Sequence, residues 1–379
     1  MPYTSPRSYV HQGILVAFCA LIASSCFAED AASRYIRTHL RLRHTPGAAV
    51  AVIRAGRVID EVVYGSASLQ LRVPVRRDTQ FQLASVTKVF TGLALLVLEQ
   101  NRQVSLDDPV SKYLTDLPES WRDVSLRELA AHTSGLPDVI ESPNRPLSSA
   151  ELARTEDQAI QFAAAKPARA APGEKFIYDQ TNYVLLKRVI EQVTHMSFQR
   201  FLITRILPRT SSAWLWGDCR AIVPLRTEMY KLGSGDVTEN AGQLYLYPPY
   251  LEAAAGLNAS IAQLEKFGVA LTRGAILSSR ELRRLEEPIR TRRGRAVDMG
   301  LDPSLRGMVA PSIGFIFADN SGGKLPRVLM TGGSAVVAMY FPKQQLLVVV
   351  LTNLQTHGDP IELAEGTARF YIHALVPIF

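Results

Sequence analysis

The chain has 379 residues, of which 47% are hydrophobic and 20% are charged, and its formal net charge is +7. This composition is typical of a globular protein with a full-sized core, and it does not fit a repetitive or low-complexity chain. No Gly/Ser-rich linker, Pro-rich linker or charge block divides the sequence, so we predict a single domain over residues 29–379.

The first 28 residues have the pattern of a secretory signal peptide. Arg7 precedes the apolar stretch Gly13–Ile22, which is too short to span a membrane, and a small-x-small cleavage pattern ends at Ala28. We therefore expect an exported protein, periplasmic or secreted, with no transmembrane span after the signal is removed. A lipid anchor at Cys26 is the less favoured alternative, because Ala23 stands where such signals usually carry Leu.

Neither the cysteines nor the basic residues indicate a special class of function. Cys219 is the only cysteine after the signal, and a lone cysteine is far more often an inert small hydrophobe than a nucleophile. The basic run Arg290–Arg295 could meet an anionic surface, either lipid or nucleic acid. It has no interleaved aromatic residues and matches no nucleic-acid module, so we interpret it as a solvated loop and expect no nucleic-acid partner.

Helix and strand patterns follow each other along the chain. A surface helix is predicted over Ala31–Arg43, and the apolar runs Ala48–Ile53 and Val58–Tyr64 flank a Gly turn and predict a hairpin. The most informative helix lies within Thr79–Asn101. Further helices are predicted at Ser125–Ala131, Ser149–Ala165, Thr181–Val193, Phe198–Ile206, Ile261–Arg273 and Pro360–Ala374.

Strand character returns near the end of the sequence, at Ile313–Phe317, Val337–Phe341 and Leu346–Leu351. Strands at both ends with helices between them predict an α+β fold. One antiparallel sheet would be built from both chain ends and flanked by helices, with a mostly helical inserted lobe over roughly residues 120–275. We expect a small-molecule site in the cleft between the lobes.

Ser85 is the first candidate for chemistry. It precedes a helix that is apolar nearly all round after Lys88, which indicates burial on every side, and the two side chains share a helix face. A buried lysine can act as the base that a serine nucleophile needs, and a helix N-terminus suits a developing oxyanion. The alternative is that Ser85 lies near the N-terminus of this helix only as a capping residue, and that Lys88, one turn further on, is unrelated to it. Ser321 and Lys324 have the same spacing in a Gly-rich loop, where no helix could hold the geometry.

Two further segments could complete a site. Tyr178 lies at a loop-to-helix junction, where a phenol can point into a cleft, although a tyrosine in such a place usually only packs. The pair Gly332-Gly333 is expected at the head of a strand, where a backbone can approach a ligand closely. An N–H there could complete an oxyanion hole with that of Ser85, and the alternative is a β-bulge.

Other chemistries have little support in the sequence. It contains no Gly-x-Ser-x-Gly, no His-Glu-x-x-His, no paired cysteines, no phosphate loop and no dinucleotide fingerprint. We therefore expect neither a metal nor an organic cofactor.

Several segments, in the right order, resemble the superfamily of serine β-lactamases and penicillin-binding proteins. The branch they resemble contains class C β-lactamases, D-aminopeptidases, DD-carboxypeptidases and related esterases, which implies a β-lactamase/transpeptidase-like fold and acyl transfer through a serine. The matching segments are Pro46–Val52, Phe81–Lys88, Leu106–Leu114, Leu129–Pro137, Pro172–Tyr178 and Val348–Asn353.

The resemblance implies a role for each matched residue. Ser85 is the expected nucleophile, Lys88 the residue that activates it, and Tyr178 the general base that also returns a proton to the leaving group. Gly333 is expected to supply an oxyanion N–H alongside Ser85. We interpret His132 as structural, holding a loop by hydrogen bonds.

Substrate contacts are expected from Gln180, Thr331 and Gly332, where the sequence also departs from the family pattern. The family's Tyr-x-Asn ends in Gln180, the Lys or His before Thr-Gly is Met330, and Val336 replaces a later Gly. Met330 cannot hold a substrate carboxylate, and a lost hydrogen bond to a charged group costs about 1.5–3 kcal/mol. We therefore expect an ester or amide substrate without a carboxylate at that position more than a β-lactam or a DD-peptide.

We interpret the chain as an exported serine hydrolase that forms an acyl-enzyme on Ser85. Its substrate would be an ester, an amide or a β-lactam-like compound, either a small molecule or a peptide. The alternative is a catalytically weak, ligand-binding relative of penicillin-binding proteins, which the residues Gln180 and Met330 favour. The intact set of Ser85, Lys88 and Tyr178 favours the enzyme.

Overall fold

The computed structural model describes residues 31–142, 145–146, 153–208, 213–217, 221–233, 238–241, 248–300, 309–319, 325–356 and 359–372. The predicted signal peptide with Cys26, the lone Cys219 and the segment Ser321–Lys324 lie outside these residues. Within the described part of the chain, every helix falls short of the length and apolar character that crossing a lipid bilayer requires.

Helices and strands have the following bounds. The helices are α1 (31–42), α2 (Thr87–Gln100), α3 (Leu126–Ala130), α4 (Glu156–Ala164), α5 (Thr181–Thr194), α6 (Phe198–Arg205), α7 (Glu252–Ala255), α8 (Ile261–Thr272), α9 (Ser279–Arg283) and α10 (Asp359–Ala368). The strands are β1 (Gly47–Arg54), β2 (Arg57–Ser68), β3 (Val73–Pro74), β4 (Phe81–Gln82), β5 (Glu141–Ser142), β6 (Arg145–Pro146), β7 (Leu215–Trp216), β8 (Tyr230–Leu232), β9 (Thr238–Asn240), β10 (Leu257–Ala259), β11 (Val309–Ser312), β12 (Phe315–Ala318), β13 (Arg327–Gly332), β14 (Val336–Phe341), β15 (Leu346–Thr352) and β16 (Leu354–Gln355).

An antiparallel sheet of eight strands is the largest sheet among the described residues. Its strand order is β11-β12-β13-β14-β15-β1-β2-β3. Strand β1, from the start of the described chain, pairs with β15, from near its end, and Val50 lies opposite Val350. The predicted α+β fold, with a sheet built from both chain ends, is confirmed.

Helices cover both faces of this sheet. Ile36 of α1 and Leu363 of α10 pack with Val50 on one face. On the other face α8 contacts β1 and β15, and the buried helix α2 contributes Phe90 to the larger apolar core. Strands β1 and β15 are buried on both faces, which explains why they read as continuous apolar runs rather than alternating ones.

The remaining helices pack beside the sheet around α2 and α5. Helix α5 contacts α2, α3, α4, α6 and α7, and α7 also contacts α2. Short strands outside the eight-stranded sheet pair in the orders β4-β10-β7, β16-β8-β9 and β5-β6. Helix α8 falls within the range 120–275 of the predicted helical lobe, but it packs on the sheet.

Some predicted elements have wrong bounds, among them the final helix, which ends at Ala368. Ile313–Phe317 was predicted as one strand, but a turn at Gly314 separates β11 from β12. Gly314 has φ +73°, and a Cβ there would lie 2.8 Å from the Lys88 carbonyl oxygen, so only glycine fits. The helix predicted over Ser149–Ala165 begins later, because the Thr155 side chain accepts the Gln158 N–H and caps α4.

The glycine pair Gly332-Gly333 also lies differently from the prediction. It was expected at the head of a strand, but Gly332 is the last residue of β13 and pairs with Val336 of β14. Gly333 (φ +55°) and Ser334 (φ +56°) then turn the chain into β14. The sequence prediction missed β13, although its residues are nearly all buried.

Candidate active site

Ser85 lies on a short 3₁₀ turn, Ala84–Val86, directly before α2 begins at Thr87. Its side chain is partly exposed, whereas both neighbours are buried. Ala84 has φ +45°, in the left-handed region, and such backbone costs an alanine energy that the surrounding structure must offset. The turn therefore leaves the Ser85 hydroxyl accessible on an otherwise buried segment.

Lys88 is fully buried in the first turn of α2, and its Nζ contacts three oxygen atoms. Ser85 Oγ lies at 3.4 Å, Gln180 Oε1 at 2.9 Å and the Ala254 carbonyl oxygen at 3.0 Å. Three acceptors match the three N–H groups of an ammonium, whereas a neutral amine would donate to two of them and offer its lone pair to the Ser85 hydroxyl. The same contacts can thus serve the lysine as an acid or as a base.

Tyr178 reaches the same serine from another segment. Its Oη donates a hydrogen bond to Ser85 Oγ at 2.7 Å, and Lys88 Nζ lies 4.8 Å from the centre of its ring. The structure therefore brings the three predicted catalytic side chains together around one oxygen atom. A nucleophile in contact with two proton-carrying groups is the arrangement that covalent catalysis needs.

A buried polar cluster of His132, Asp179 and Asn182 stands behind Tyr178. Asp179 accepts the backbone N–H of Asn182 and its side-chain Nδ2, both at 2.9 Å. Burial, and next to it the neighbouring Asp138, raise the pKa of Asp179 well above its ordinary value of 3.8. Burial and then Lys88 lower the pKa of His132 well below its ordinary value of 6.5, so the imidazole is neutral at neutral pH.

Gln180 lies in the site, where its side chain faces Lys88. It is only 8% exposed, and its side-chain oxygen accepts from Lys88. Its backbone N–H donates to Asp138 Oδ2 at 3.2 Å, which fixes the chain just before α5. A contact of Gln180 with substrate stays a prediction.

Strands β13 and β14 pack against the turn that carries Ser85. Gly332 has no room for a side chain, because a Cβ there would overlap the carbonyl oxygen of Leu83. Thr331 and Gly333 are partly exposed beside it. Among the described residues, the N–H groups of Ser85 and Gly333 donate to no protein acceptor. Unused N–H donors on neighbouring turns are the groups from which an oxyanion hole is built.

Met330 is a core residue in this structure. It is 4% exposed and belongs to the larger apolar core, together with Val336, which is 1% exposed. The two substitutions that depart from the family pattern therefore add apolar packing beside the site. Neither residue supplies a charge that could hold a substrate carboxylate.

Two partners in the site were missed by sequence reasoning. The Ala254 carbonyl accepts from Lys88, and a backbone carbonyl has no side-chain signal that could have revealed it. The Asp138 carboxylate accepts from the Gln180 N–H. Asp138 directly follows the segment Leu129–Pro137, so its position next to a recognised motif was the available signal.

Comparison with known proteins assigns the family. The family model described as Beta-lactamase matches residues 32–369. The chain belongs to the Beta-lactamase family. Protein flp of Staphylococcus aureus (strain COL) is 31% identical over 171 residues, which are 44% of this chain and 34% of that protein. The chain thus matches about a third of the length of this relative.

Solved structures of other proteins show the same fold. The octameric penicillin-binding protein homologue from Pyrococcus abyssi superposes with a TM-score of 0.71 at 22% identity, over 91% of this chain and 77% of that one. EstCE1, a hydrolase with promiscuous acyltransferase activity, gives a TM-score of 0.70 at 19% identity, over 90% of this chain and 98% of that one. The fold of this Beta-lactamase family member is therefore that of β-lactamases, penicillin-binding proteins and related hydrolases.

Proposed function

We propose that this Beta-lactamase family member is a serine hydrolase that forms an acyl-enzyme on Ser85. The observation that carries the proposal is the double contact of Ser85 Oγ, with Tyr178 Oη at 2.7 Å and Lys88 Nζ at 3.4 Å. A serine hydroxyl is a weak nucleophile at neutral pH and needs an adjacent base. Two side chains that can exchange protons meet this hydroxyl.

Acylation then follows from the contacts. Ser85 Oγ attacks the substrate carbonyl carbon, and its proton passes to the Tyr178–Lys88 pair. To accept this proton, the pair must be a phenolate beside an ammonium or a phenol beside a neutral amine. The N–H groups of Ser85 and Gly333 are the proposed donors to the oxyanion. The pair returns the proton to the departing oxygen or nitrogen as the bond to the leaving group breaks.

Deacylation reverses the proton transfers. A water molecule attacks the acyl carbon, gives its proton to the Tyr178–Lys88 pair, and the proton then returns to Ser85 Oγ as the acid product leaves. No step requires a metal or an organic cofactor, because the protons move between side chains that already touch.

Ester or amide substrates without a carboxylate beside Met330 fit this site best. Met330 is buried in the apolar core, so it contributes packing and no charge. A β-lactam or a peptide C-terminus would lose a charge-assisted contact at this position, and such a contact is worth about 1.5–3 kcal/mol. We therefore place ester and amide hydrolysis ahead of β-lactam hydrolysis.

Export is part of the proposal, and it rests on residues 1–28 alone. Arg7, the apolar stretch and the small residues before Ala28 support cleavage there and a periplasmic or secreted mature protein. N-terminal sequencing of the protein recovered from its native host distinguishes cleavage after Ala28 from a lipid-modified N-terminal Cys26.

Labelling with a fluorophosphonate tests the acyl-enzyme. Intact mass spectrometry should show one adduct on the wild-type protein and none on Ser85→Ala. Ser321→Ala is the matched control, because Ser321 and Lys324 repeat the spacing of the proposed pair, and it should keep the adduct. Folded wild-type protein that takes up no label would instead support a ligand-binding relative without catalytic power.

A further inference from the structure

We propose that His132 is a positioning residue that fixes the Tyr178 phenol against Ser85. The inference rests on the proposed role of Tyr178 in proton transfer. It concerns how the chain holds this phenol in place, which neither the family membership nor the contact with Ser85 explains.

His132 holds the backbone on both sides of Tyr178. Its carbonyl oxygen accepts the Ile177 N–H at 2.8 Å, and its ring Nδ1 accepts the Asp179 N–H at 3.3 Å. The residues directly before and after the tyrosine are thus bound to one and the same residue. The imidazole also lies over the phenol ring, with ring centres 4.3 Å apart and planes 33° apart.

His132 is itself anchored to two helices. It lies two residues after the end of α3, with φ +55°, and its N–H donates to the Leu129 carbonyl at 3.2 Å. Its Nδ1 also accepts from Asn182 Nδ2 of α5 at 3.2 Å, and the Tyr183 ring lies 5.2 Å away. A side chain this strongly fixed transmits the positions of α3 and α5 to Tyr178.

The chemistry of the ring explains why this position carries a histidine. A backbone N–H can only donate, so Nδ1 must be the acceptor and the ring proton lies on Nε2. Among the described residues, no protein atom accepts from this buried Nε2–H. An unpaired buried donor costs about 1–3 kcal/mol, and a phenylalanine would fill similar space without that cost. The Nδ1 acceptor is therefore the feature that the site uses.

A neutral ring also suits the neighbouring lysine. Burial and the charge of Lys88 keep His132 uncharged, so Nδ1 stays free to accept and no second cation lies beside Lys88. Phenylalanine at 132 keeps an aromatic face for Tyr178 but offers no acceptor to the Asp179 N–H. Asparagine offers an acceptor and tolerates the left-handed backbone, but it loses the stacked ring.

Leaving-group dependence separates positioning of Tyr178 from a general structural role. A nitrophenyl ester releases a stable anion that needs no proton, whereas an alkyl ester needs one from the enzyme. We expect His132→Phe to lower kcat/KM, which reports acylation, about tenfold more on the alkyl ester than on the nitrophenyl ester of the same acid. His132→Asn should show a smaller difference between the esters, about threefold, because it restores the acceptor. His195→Phe is the matched control, since His195 is exposed and also has left-handed backbone after a helix, and it should match wild type.

The failures of the two proposals are distinguishable. If Tyr178→Phe lowers the rates of both esters equally, the proposed return of a proton from Tyr178 to the leaving group is wrong. If Tyr178→Phe discriminates between the esters but folded His132→Phe does not, the positioning role alone is overturned. Should His132→Phe fail to fold, His132→Asn decides, because equal losses on both esters would overturn the inference.

Discussion

Gln180 Oε1 accepts a hydrogen bond from Lys88 Nζ at 2.9 Å, so the amide at this position is a partner of the proposed catalytic lysine. Lys88 is completely buried, and its other acceptors are Ser85 Oγ and the Ala254 carbonyl. The residue in which the chain departs from the family's Tyr-x-Asn pattern thus supports the base of the proposed reaction. Its effect on catalysis can be measured separately from any contact with substrate.

Removing the Gln180 oxygen should impair catalysis without abolishing it. Gln180→Leu leaves Lys88 with two acceptors, and a hydrogen bond to a charged group is worth about 1.5–3 kcal/mol, so kcat/KM should fall about tenfold to a hundredfold. Gln180→Glu retains an acceptor and is the control for bulk. Steady-state rates on a neutral ester measure the effect, and wild-type rates for Gln180→Leu would contradict this role.

Replacing the buried lysine should remove activity and alter stability in a defined way. Lys88→Met keeps the volume of the side chain but leaves Gln180 Oε1 and the Ala254 carbonyl without this donor. We expect kcat/KM to fall by about 10²–10⁴, the usual contribution of general acid–base catalysis. Each buried acceptor left unpaired should lower the free energy of unfolding by about 1–3 kcal/mol. This loss is partly offset because the variant buries no charge.

Urea unfolding followed beside the ester assay tests both parts of the Lys88→Met prediction. Full activity in the variant would exclude Lys88 from the reaction. If the variant loses activity but has the same free energy of unfolding as wild type, the lysine serves catalysis and does not stabilise the fold.

Gly332 should be intolerant of alanine because of its neighbour. A Cβ at Gly332 would overlap the Leu83 carbonyl oxygen, two residues before Ser85, so the turn carrying Ser85 has to shift. A misplacement of about 1 Å can cost on the order of 10² in rate, and we expect such a loss in kcat for Gly332→Ala. Gly294→Ala is the control, because a Cβ at Gly294 would meet no atom within 4 Å and only the strain of its left-handed backbone (φ +74°) would remain. Fluorophosphonate labelling rates report the loss, and equal rates in both variants would contradict it.

The sequence predicted the residues of the site better than their partners. Ser85 and Lys88 could be paired because helical spacing puts residues three apart on one face. Tyr178 was found through its motif, although the contact with Ser85 spans 93 positions of sequence. The Ala254 carbonyl could not be predicted, because any residue offers the same backbone oxygen. The left-handed φ of Ala84 was hidden for a related reason, since alanine gives no sign of unusual backbone.

The strands of the large sheet could be predicted where the local sequence is an apolar run. The strands β1 and β15 were predicted because each is a continuous apolar run. Strands at both chain ends predicted one sheet, although not that these two strands pair within it. Strand β13 was missed because it begins with the charged Arg327 and ends at the Gly332-Gly333 pair, and neither is typical of a buried strand. Arg327 is fully buried and forms an ion pair with Glu365 of α10 at 2.5 Å, a compensation that no local pattern reveals.

Because His132 is buried and neutral in the folded protein, the free energy of unfolding should decrease at acid pH. The groups that face this imidazole are Lys88 from α2, Tyr178 and Asp179 from the segment before α5, and Tyr183 from α5. Its pKa in the folded protein lies well below the ordinary value of 6.5, so below that pH the unfolded chain binds a proton that the folded chain does not. The free energy of unfolding therefore decreases as the pH falls, by about 1 kcal/mol at one pH unit below the ordinary value.

The variant His132→Asn isolates this contribution, because asparagine does not titrate and every other group is unchanged. Urea unfolding at a series of pH values should give a shallower acid-side decrease for the variant than for wild type, whatever their difference at neutral pH. Parallel curves for wild type and His132→Asn would mean that the folded protein binds this proton as readily as the unfolded chain does, which would contradict a lowered pKa of the buried imidazole.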